Sequence, residues 1–310
     1  MKIVFMGTPD FGAVILKGLL KEHEIVLVVT QPDKLVGRKQ QVEFSPVKQI
    51  ALKYDLNLFQ PNSIKKEYKE ILKYDFDLIV TAAFGQIINK ELLEYPRYKA
   101  INVHGSLLPK YRGGAPIQRS IINGEEYTGI TIMYMDSKMD AGDIIEQVKL
   151  PIEDNDNSDT MFDKLAILGR NLVLKVINDL ESGCVLAVPQ DELLVTYAPN
   201  LTKADELIDF SKPAREVYNH IRGLASNPGA YFKIKDITFK VYSSAVAHEM
   251  HEAEIGEIIE VEKGSFTVQC GKFTAITFTE IKPEGRNLMT VKDYLNGKGK
   301  EVILKGEMIQ

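Results

Sequence analysis

The sequence predicts an α/β protein: a doubly wound, mainly parallel sheet followed by a smaller C-terminal OB-like β-barrel domain. Three observations carry this. Apolar strand-like runs alternate with helical patterns over roughly the first 200 residues, the mark of βαβ units. After about residue 201 the helical spacing gives way to about five short strands packed into about 50 residues, the density of a small barrel. The length is 310 residues, 45% hydrophobic and 26% charged, which is enough for two domains and too apolar for disorder. The expected division is 1–203 for the sheet domain and 204–310 for the barrel.

The elements follow in order. Residues 2–6 form an apolar run stopped by Gly7, a buried strand. Thr8 then stands as an N-cap, with Pro9 at the first helical position and Asp10 in the first turn of a helix reaching about residue 21. A strand at 25–30 ends at Gln31-Pro32-Asp33, and Ser45-Pro46 opens another helix. Strands at 77–82 and 99–103 follow, and those at 129–135 and 144–150 are close enough to pair antiparallel. Thr160-x-x-Asp163 has the form of a capping box. Met161, Leu165, Leu168, Leu172, Val176 and Leu180 then keep three- and four-residue spacing up to Gly183, one apolar stripe turned to a sheet. In the second domain a helix over 211–222 precedes strands at 231–234, 237–243, 257–262, 265–270 and 274–281, with a short helix at 290–295.

Composition excludes several classes. Cys184 and Cys270 are the two cysteines, far apart, so a disulfide framework and a four-cysteine zinc site are out, and a reducing compartment, the cytoplasm, is expected. No apolar run reaches the ~18–20 residues that span a bilayer, and no secretory or transit pattern opens the chain, so no membrane partner is expected. A net charge of -5 argues against a protein that coats nucleic acid nonspecifically, while leaving room for local basic faces such as 32–48.

In a doubly wound sheet the ligand crevice lies beyond the carboxyl ends of the strands, so chemistry is sought just after each strand. Gly7-Thr-Pro-Asp-Phe-Gly12 is not a dinucleotide fingerprint, because Pro9 stands where the second glycine belongs, and no Gly-Lys-Ser/Thr phosphate loop occurs. The richest stretch is Ile101-Asn-Val-His-Gly-Ser-Leu-Leu-Pro109, running into Lys110-Tyr-Arg-Gly-Gly114. Asn102 and His104 are two apart at a strand end and share one face. An amide donor beside an imidazole suits a site that holds a carbonyl oxygen, although a buried histidine with purely structural bonds leaves the same pattern. A second loop, Asp136-Ser-Lys-Met-Asp-Ala-Gly-Asp143, carries three carboxylates. One of them can orient His104, and spacing does not choose among Asp136, Asp140 and Asp143. An oxygen-only Mg²⁺ site and a solvated turn are the rival readings of that loop. His248 and His251, in a Glu-rich stretch, read as a polar loop rather than a metal pair.

At Asn102-x-His104-x-Ser106-Leu-Leu-Pro109, together with Asp140-Ala-Gly-Asp143, the chain resembles the folate-dependent formyltransferases. The resemblance implies Asn102, His104 and Asp140 as the catalytic set, 10-formyltetrahydrofolate as co-substrate and no metal. It assigns Ser106, Leu107, Leu108 and Pro109 to the loop that contacts the folate, and Phe84, Gly85 and Ile87 to the place where the pterin slot is completed. Further matching runs cover nearly the whole chain: Met6-Gly-Thr-Pro-Asp-Phe11, Thr30-Gln-Pro-Asp33, Ser45-Pro-Val-Lys48, Ala115-Pro-Ile-Gln-Arg119, Gln190-Asp-Glu192 and Thr196-Tyr-Ala198. These are similar to the branch that formylates methionine on initiator tRNA. That branch implies direct acyl transfer through a tetrahedral intermediate, stabilised by Asn102 and protonated His104, with Asp140 orienting His104. It also implies a second domain that helps hold initiator Met-tRNA, Arg38 as a tRNA-binding residue in a first-domain loop, and a monomer. Formylation of a nucleotide-sugar amine by the same three residues is the alternative. Three departures from the family pattern stand out: Gly12 in place of Ala, the less basic loop Gly37-Arg-Lys-Gln-Gln41, and the absence of Trp, including from the turn at 224–230.

Overall fold

The computed structural model describes residues 1–36, 41–247 and 252–309. Two compact units divide the chain: the first holds 1–116, 127–151 and 161–199, the second 117–126, 152–160 and 200–310. The elements up to residue 181 are β1 (Lys2–Gly7), α1 (Asp10–Leu19), β2 (Glu24–Val29), β3 (Lys34–Val36), β4 (Gln41–Glu43), α2 (Pro46–Lys53), β5 (Leu58–Phe59), α3 (Ile64–Glu67), β6 (Leu78–Ala82), α4 (Lys90–Glu94), β7 (Ala100–His104), α5 (Pro116–Ile122), β8 (Tyr127–Tyr134), β9 (Ile144–Pro151) and α6 (Ser158–Glu181). Seven of the strands form one sheet in the order β5-β2-β1-β6-β7-β8-β9. The first five run parallel, and β8 and β9 turn antiparallel. The order reverses between β1 and β6, which opens a crevice at the carboxyl ends of those strands.

Continuous apolar sequence explains the centre of this sheet. Ile3, Val4, Phe5 and Met6 of β1 and Leu78, Ile79 and Val80 of β6 are fully buried, as strands covered on both faces must be. Val103 of β7 faces α6, where Gly169 leaves the room it needs: a Cβ there would stand 2.9 Å from Val103 Cγ1. Strand side chains alternate between faces, so Asn102 and His104 are turned to the other side of the sheet from α6.

Two helix starts differ from their sequence expectation. Pro9, not Thr8, occupies the N-cap of α1. The Thr8 hydroxyl instead donates to the Phe84 carbonyl (3.3 Å), tying the β1 turn to the loop after β6. The long helix α6 begins at Ser158, with the Asn157 side chain accepting from Thr160 N (3.0 Å), so the Thr160 capping box is displaced by a cap three residues earlier. Ser45 caps α2 as expected, accepting from Lys48 N at 3.1 Å. The short β5 and the β3–β4 hairpin carry too few residues for a periodic signal.

The second unit adds α7 (Ala214–Gly223), β10 (Ala230–Ile234), β11 (Ile237–Val246), β12 (Ile258–Val261), β13 (Phe266–Gln269), β14 (Ala275–Pro283), β15 (Met289–Thr290) and α8 (Val291–Leu295). Its antiparallel sheet runs β10-β11-β14-β13-β12, with β15 on β14. The two edges are joined by the segment 306–309: Ile309 bridges Ile234 of β10, and Met308 bridges Glu257 just before β12. A sheet closed on itself leaves no edge to pair with a stranger. Phe232, Phe239, Phe266 and Phe278 fill its interior, fully buried, with ring centroids 5.1–6.1 Å apart among contacting pairs.

One polar cluster in this unit sets a pH dependence. Arg119 Nη1 bonds Asp205 Oδ1 at 2.7 Å, holding the Asp205 carboxyl far below the usual carboxylate range. His220 Nε2 donates to the Asp205 carbonyl at 2.7 Å. Burial holds the His220 imidazole below its ordinary 6.5, so the unfolded chain takes up its proton first as pH falls. Stability tied to His220 is therefore complete above 6.5 and lost on acidification towards the lower folded value. His220→Gln is expected to flatten the fall in melting temperature between pH 7 and 5, measured by calorimetry against the parent protein; an unchanged slope would contradict the assignment.

Candidate active site

The site is built at the carboxyl end of β7. Asn102 lies beside Thr81 of β6 in register, and the Thr81 hydroxyl donates to Asn102 Oδ1 at 2.7 Å. That bond fixes the orientation of the amide. Nδ2 is left as a donor without a protein acceptor among the described residues. His104 is 5% exposed. Its Nε2 stands 3.0 Å from the Tyr111 carbonyl, which can only accept, so Nε2 carries the proton and Nδ1 is the free edge.

That free edge faces a carboxylate. His104 Nδ1 and Asp140 Oδ1 are 3.7 Å apart, within ion-pair range but too far for a direct hydrogen bond. Asp140 Oδ2 accepts from Gly113 N at 2.9 Å. Of the three loop carboxylates, Asp136 and Asp143 are exposed and Asp140 is turned inward. Asp136 accepts from its own neighbour Ser137, which holds its carboxyl below the usual range.

Bringing Asp140 to His104 requires a fold-back. Because β8 is antiparallel to β7, its last residue, Tyr134, pairs with Ile101, while His104 pairs with Thr131. The loop after β8 thus starts three residues behind His104 and must return roughly 10 Å along the sheet at ~3.3 Å per residue. The backbone shows the constraint: Asp140 has φ +49°, Tyr111 φ +63° and Ala83 φ +50°, three non-glycine residues in the left-handed region around one site.

The loop 105–110 is pinned from beneath. Thr131, fully buried, donates to the Ser106 carbonyl (2.7 Å) and accepts from Leu108 N (3.1 Å), while Gln147 Nε2 bonds the Leu108 carbonyl and Thr131 Oγ1, both at 2.8 Å. Ser106 and Leu108 are buried; Leu107 and Pro109 are half-buried. On the adjacent loop the Phe84 side chain belongs to the core behind β6, and its carbonyl takes Gln31 Nε2 at 2.9 Å. Gly85 (φ +83°) and the exposed Ile87 are what that loop presents outward.

Arg38 lies outside the described residues, as do His248 and His251. The structure describes the hairpin that flanks Arg38, with Lys34 opposite Glu43, and a bond at its base between Lys48 Nζ and Asp33 Oδ2 at 2.5 Å. Gln60 Nε2 donates to Asp33 Oδ1 (2.9 Å), and with Lys48 it holds the Asp33 carboxyl below its usual range. Among the described residues no group of three or more His, Cys, Asp or Glu is placed to hold a metal ion, and no helix is long and apolar enough to cross a membrane.

Comparison with known proteins reads on this geometry. Residues 1–177 match the formyl transferase family, and residues 200–299 match the formyl transferase C-terminal domain. The chain belongs to the formyl transferase family. A methionyl-tRNA formyltransferase of Staphylococcus aureus (strain MW2) is 46% identical over 298 residues, 96% of each chain. Among solved structures, the N-formyltransferase of Helicobacter canadensis, in complex with folinic acid and dTDP-3-aminofucose, superposes with a TM-score of 0.71 at 21% identity over 90% of this chain and 98% of that one. HypX of Aquifex aeolicus in complex with tetrahydrofolic acid gives 0.66 at 18% identity over 96% of this chain and 47% of its own. At these identities the likeness is one of fold.

Sequence reasoning gave no role to Thr81, Tyr111, Arg112 and Gln190 around this candidate site. The first is a strand residue next to Asn102; the others lie in quoted runs, Lys110-Tyr-Arg-Gly-Gly114 and Gln190-Asp-Glu192, but act through a carbonyl, a guanidinium and an amide whose partners the runs do not reveal. Thr81→Val removes the hydroxyl that orients Asn102 while keeping the side-chain shape. One hydrogen bond is worth ~0.5–1.5 kcal/mol net, so formyl-transfer kcat is expected to fall up to about tenfold with little change in melting temperature. Steady-state kinetics beside a thermal melt checks this.

Proposed function

We propose that this chain transfers the formyl group of 10-formyltetrahydrofolate to the free amine of methionine on initiator tRNA, with Asn102, His104 and Asp140 as its catalytic residues. The observation that carries the reading is the approach of an imidazole edge and a carboxylate, on the strand face that also carries the Asn102 amide, within one family-matched sheet domain. Similarity over nearly the full length to a tRNA formyltransferase supports the acceptor.

The residues present fit a folate co-substrate. Two loops on neighbouring strands, 84–87 and 105–109, offer half-buried or exposed apolar side chains and backbone groups to a flat heterocycle. The co-substrate supplies an activated formyl carbonyl. Asn102 Nδ2 donates to the oxygen on which charge develops as the amine attacks. His104, its Nε2–H committed to Tyr111, presents Nδ1; once protonated there, the ring stabilises the same charge. Asp140 keeps one oxygen on Gly113 and turns the other to the imidazole, so the proton leaving the amine has an acceptor pair beside it; as the bond between the formyl carbon and N10 breaks, that proton passes to N10 and tetrahydrofolate leaves. A free α-amine with pKa ~7.7–8.0 is partly neutral near pH 7, and no strong base is needed. Arg38 and the second unit are assigned to tRNA, and the protein is assigned to the cytoplasm.

His104→Ala is expected to keep the fold, seen by circular dichroism, and to lose roughly 10²–10³-fold in transfer rate. A fully active variant would remove His104 from the mechanism. Arg38→Ala should raise KM for Met-tRNA with folate KM unchanged; equal loss towards both substrates would contradict the assignment. A nucleotide-sugar amine offered as competitor tests the other acceptor, and its formylation with equal kcat/KM would overturn the tRNA reading.

A further inference from the structure

The two family matches stop at residue 177 and resume at residue 200, leaving 178–199 to neither. This stretch looks like a connector. The structure places it in the first unit and lays its second half along both sides of the active-site pair.

On one side it holds Asp140. Val188 exchanges both backbone bonds with Ile144 (2.8 Å each), anchoring the segment at the start of β9. Gln190 then donates both amide protons into the fold-back loop, to the carbonyls of Asp140 and Gly142, each at 2.8 Å. Its Oε1 accepts from Arg112 Nε (3.0 Å) and Nη2 (2.9 Å). All of the Gln190 amide is thereby used, and its rotamer is fixed. Arg112 is itself 3% exposed and bonds Glu192 Oε1 at 2.9 Å, so the guanidinium is locked from within the same segment.

On the other side it holds His104. Thr196 Oγ1 accepts from Tyr111 N (2.9 Å), and Thr196 O accepts from Arg112 N (2.9 Å), which brackets the strained Tyr111 whose carbonyl takes His104 Nε2. Ala198 N donates to Arg112 O (2.7 Å), and Ala115 N donates to Ala198 O (3.1 Å). This close approach needs a glycine: a Cβ at Gly113 (φ +126°) would stand 2.6 Å from Ala198 O. Gly113 N is also the donor to Asp140 Oδ2.

We infer that residues 188–198 form a positioning frame for the His104–Asp140 pair, and that Gln190 is the positioning residue that holds the fold-back loop with Asp140 facing the imidazole. The inference rests on the reading of Asp140 as catalytic. Left-handed backbone at Asp140 turns its carbonyl and that of Gly142 to one side, where an unpaired carbonyl would be costly. The Gln190 amide supplies both missing donors. Arg112 does not touch substrate in this scheme; it fixes which end of the Gln190 amide faces the loop.

The test is a double-mutant cycle on the full chain with 10-formyltetrahydrofolate and Met-tRNA. Gln190→Glu keeps an acceptor for Arg112 but presents oxygen, not N–H, to the two carbonyls. A displacement of about 1 Å at a catalytic group costs on the order of 100-fold, so kcat should fall by roughly 100-fold with KM for both substrates little changed, at a temperature where circular dichroism shows the variant still folded despite its two unpaired carbonyls. In an Asp140→Asn background the same substitution should cause no further loss, because Gln190 acts through Asp140. An equal loss in both backgrounds, or wild-type kcat in Gln190→Glu, overturns the proposal. A fully active Asp140→Asn refutes instead the catalytic reading on which it rests. Should Gln190→Glu fail to fold, Gln190→Met, which removes the donors without adding charge, carries the same cycle.

Discussion

The first unit is organised around one awkward requirement. In the proposed reaction an imidazole on β7 works with a carboxylate, and that carboxylate comes from the far end of the antiparallel neighbour β8. Register puts the start of its loop beside Ile101, three residues short of His104. Everything around the pair compensates for that distance: the left-handed turn at Asp140, the amide of Gly113 on its outer oxygen, and the buried Arg112 behind Gln190. A parallel β8 would have delivered its loop to the same edge directly.

Much of the fold was legible in sequence because it is written in burial. The fully apolar β1 and β6 and the alternation of β10 to β14 announce themselves, and the barrel strands lie within a few residues of where their turns place them. Helix starts were less legible. Thr8 and Thr160 are good caps by type, yet other partners claimed them: the distant Phe84 carbonyl for one, a local cap at Asn157 three residues earlier for the other.

The candidate site was half legible. Asn102 and His104 sit two apart on a strand, and alternation alone gives them one face. The choice of Asp140 over Asp136 and Asp143 came from resemblance, and the physical ground for it is a backbone conformation that residue type does not encode. Arg112 and Gln190 stood in runs the sequence singles out, but their pairing was not legible, for a related reason. They are 78 residues apart, and their importance lies in mutual burial rather than in any local pattern.

The second unit borrows chain. It takes 117–126 and 152–160 from within the span matched to the first family domain, and Arg119 from the first of these holds Asp205. Arg222, on α7, reaches the carbonyls of Glu153 and Asp156 in the second. A chimera that grafts a relative's C-terminal module at residue 200 would therefore be a three-point splice, not one. Unless both borrowed stretches travel with the graft, a guanidinium selected for one acidic partner confronts a foreign surface, so recombination among these enzymes should favour breakpoints that move all three pieces together.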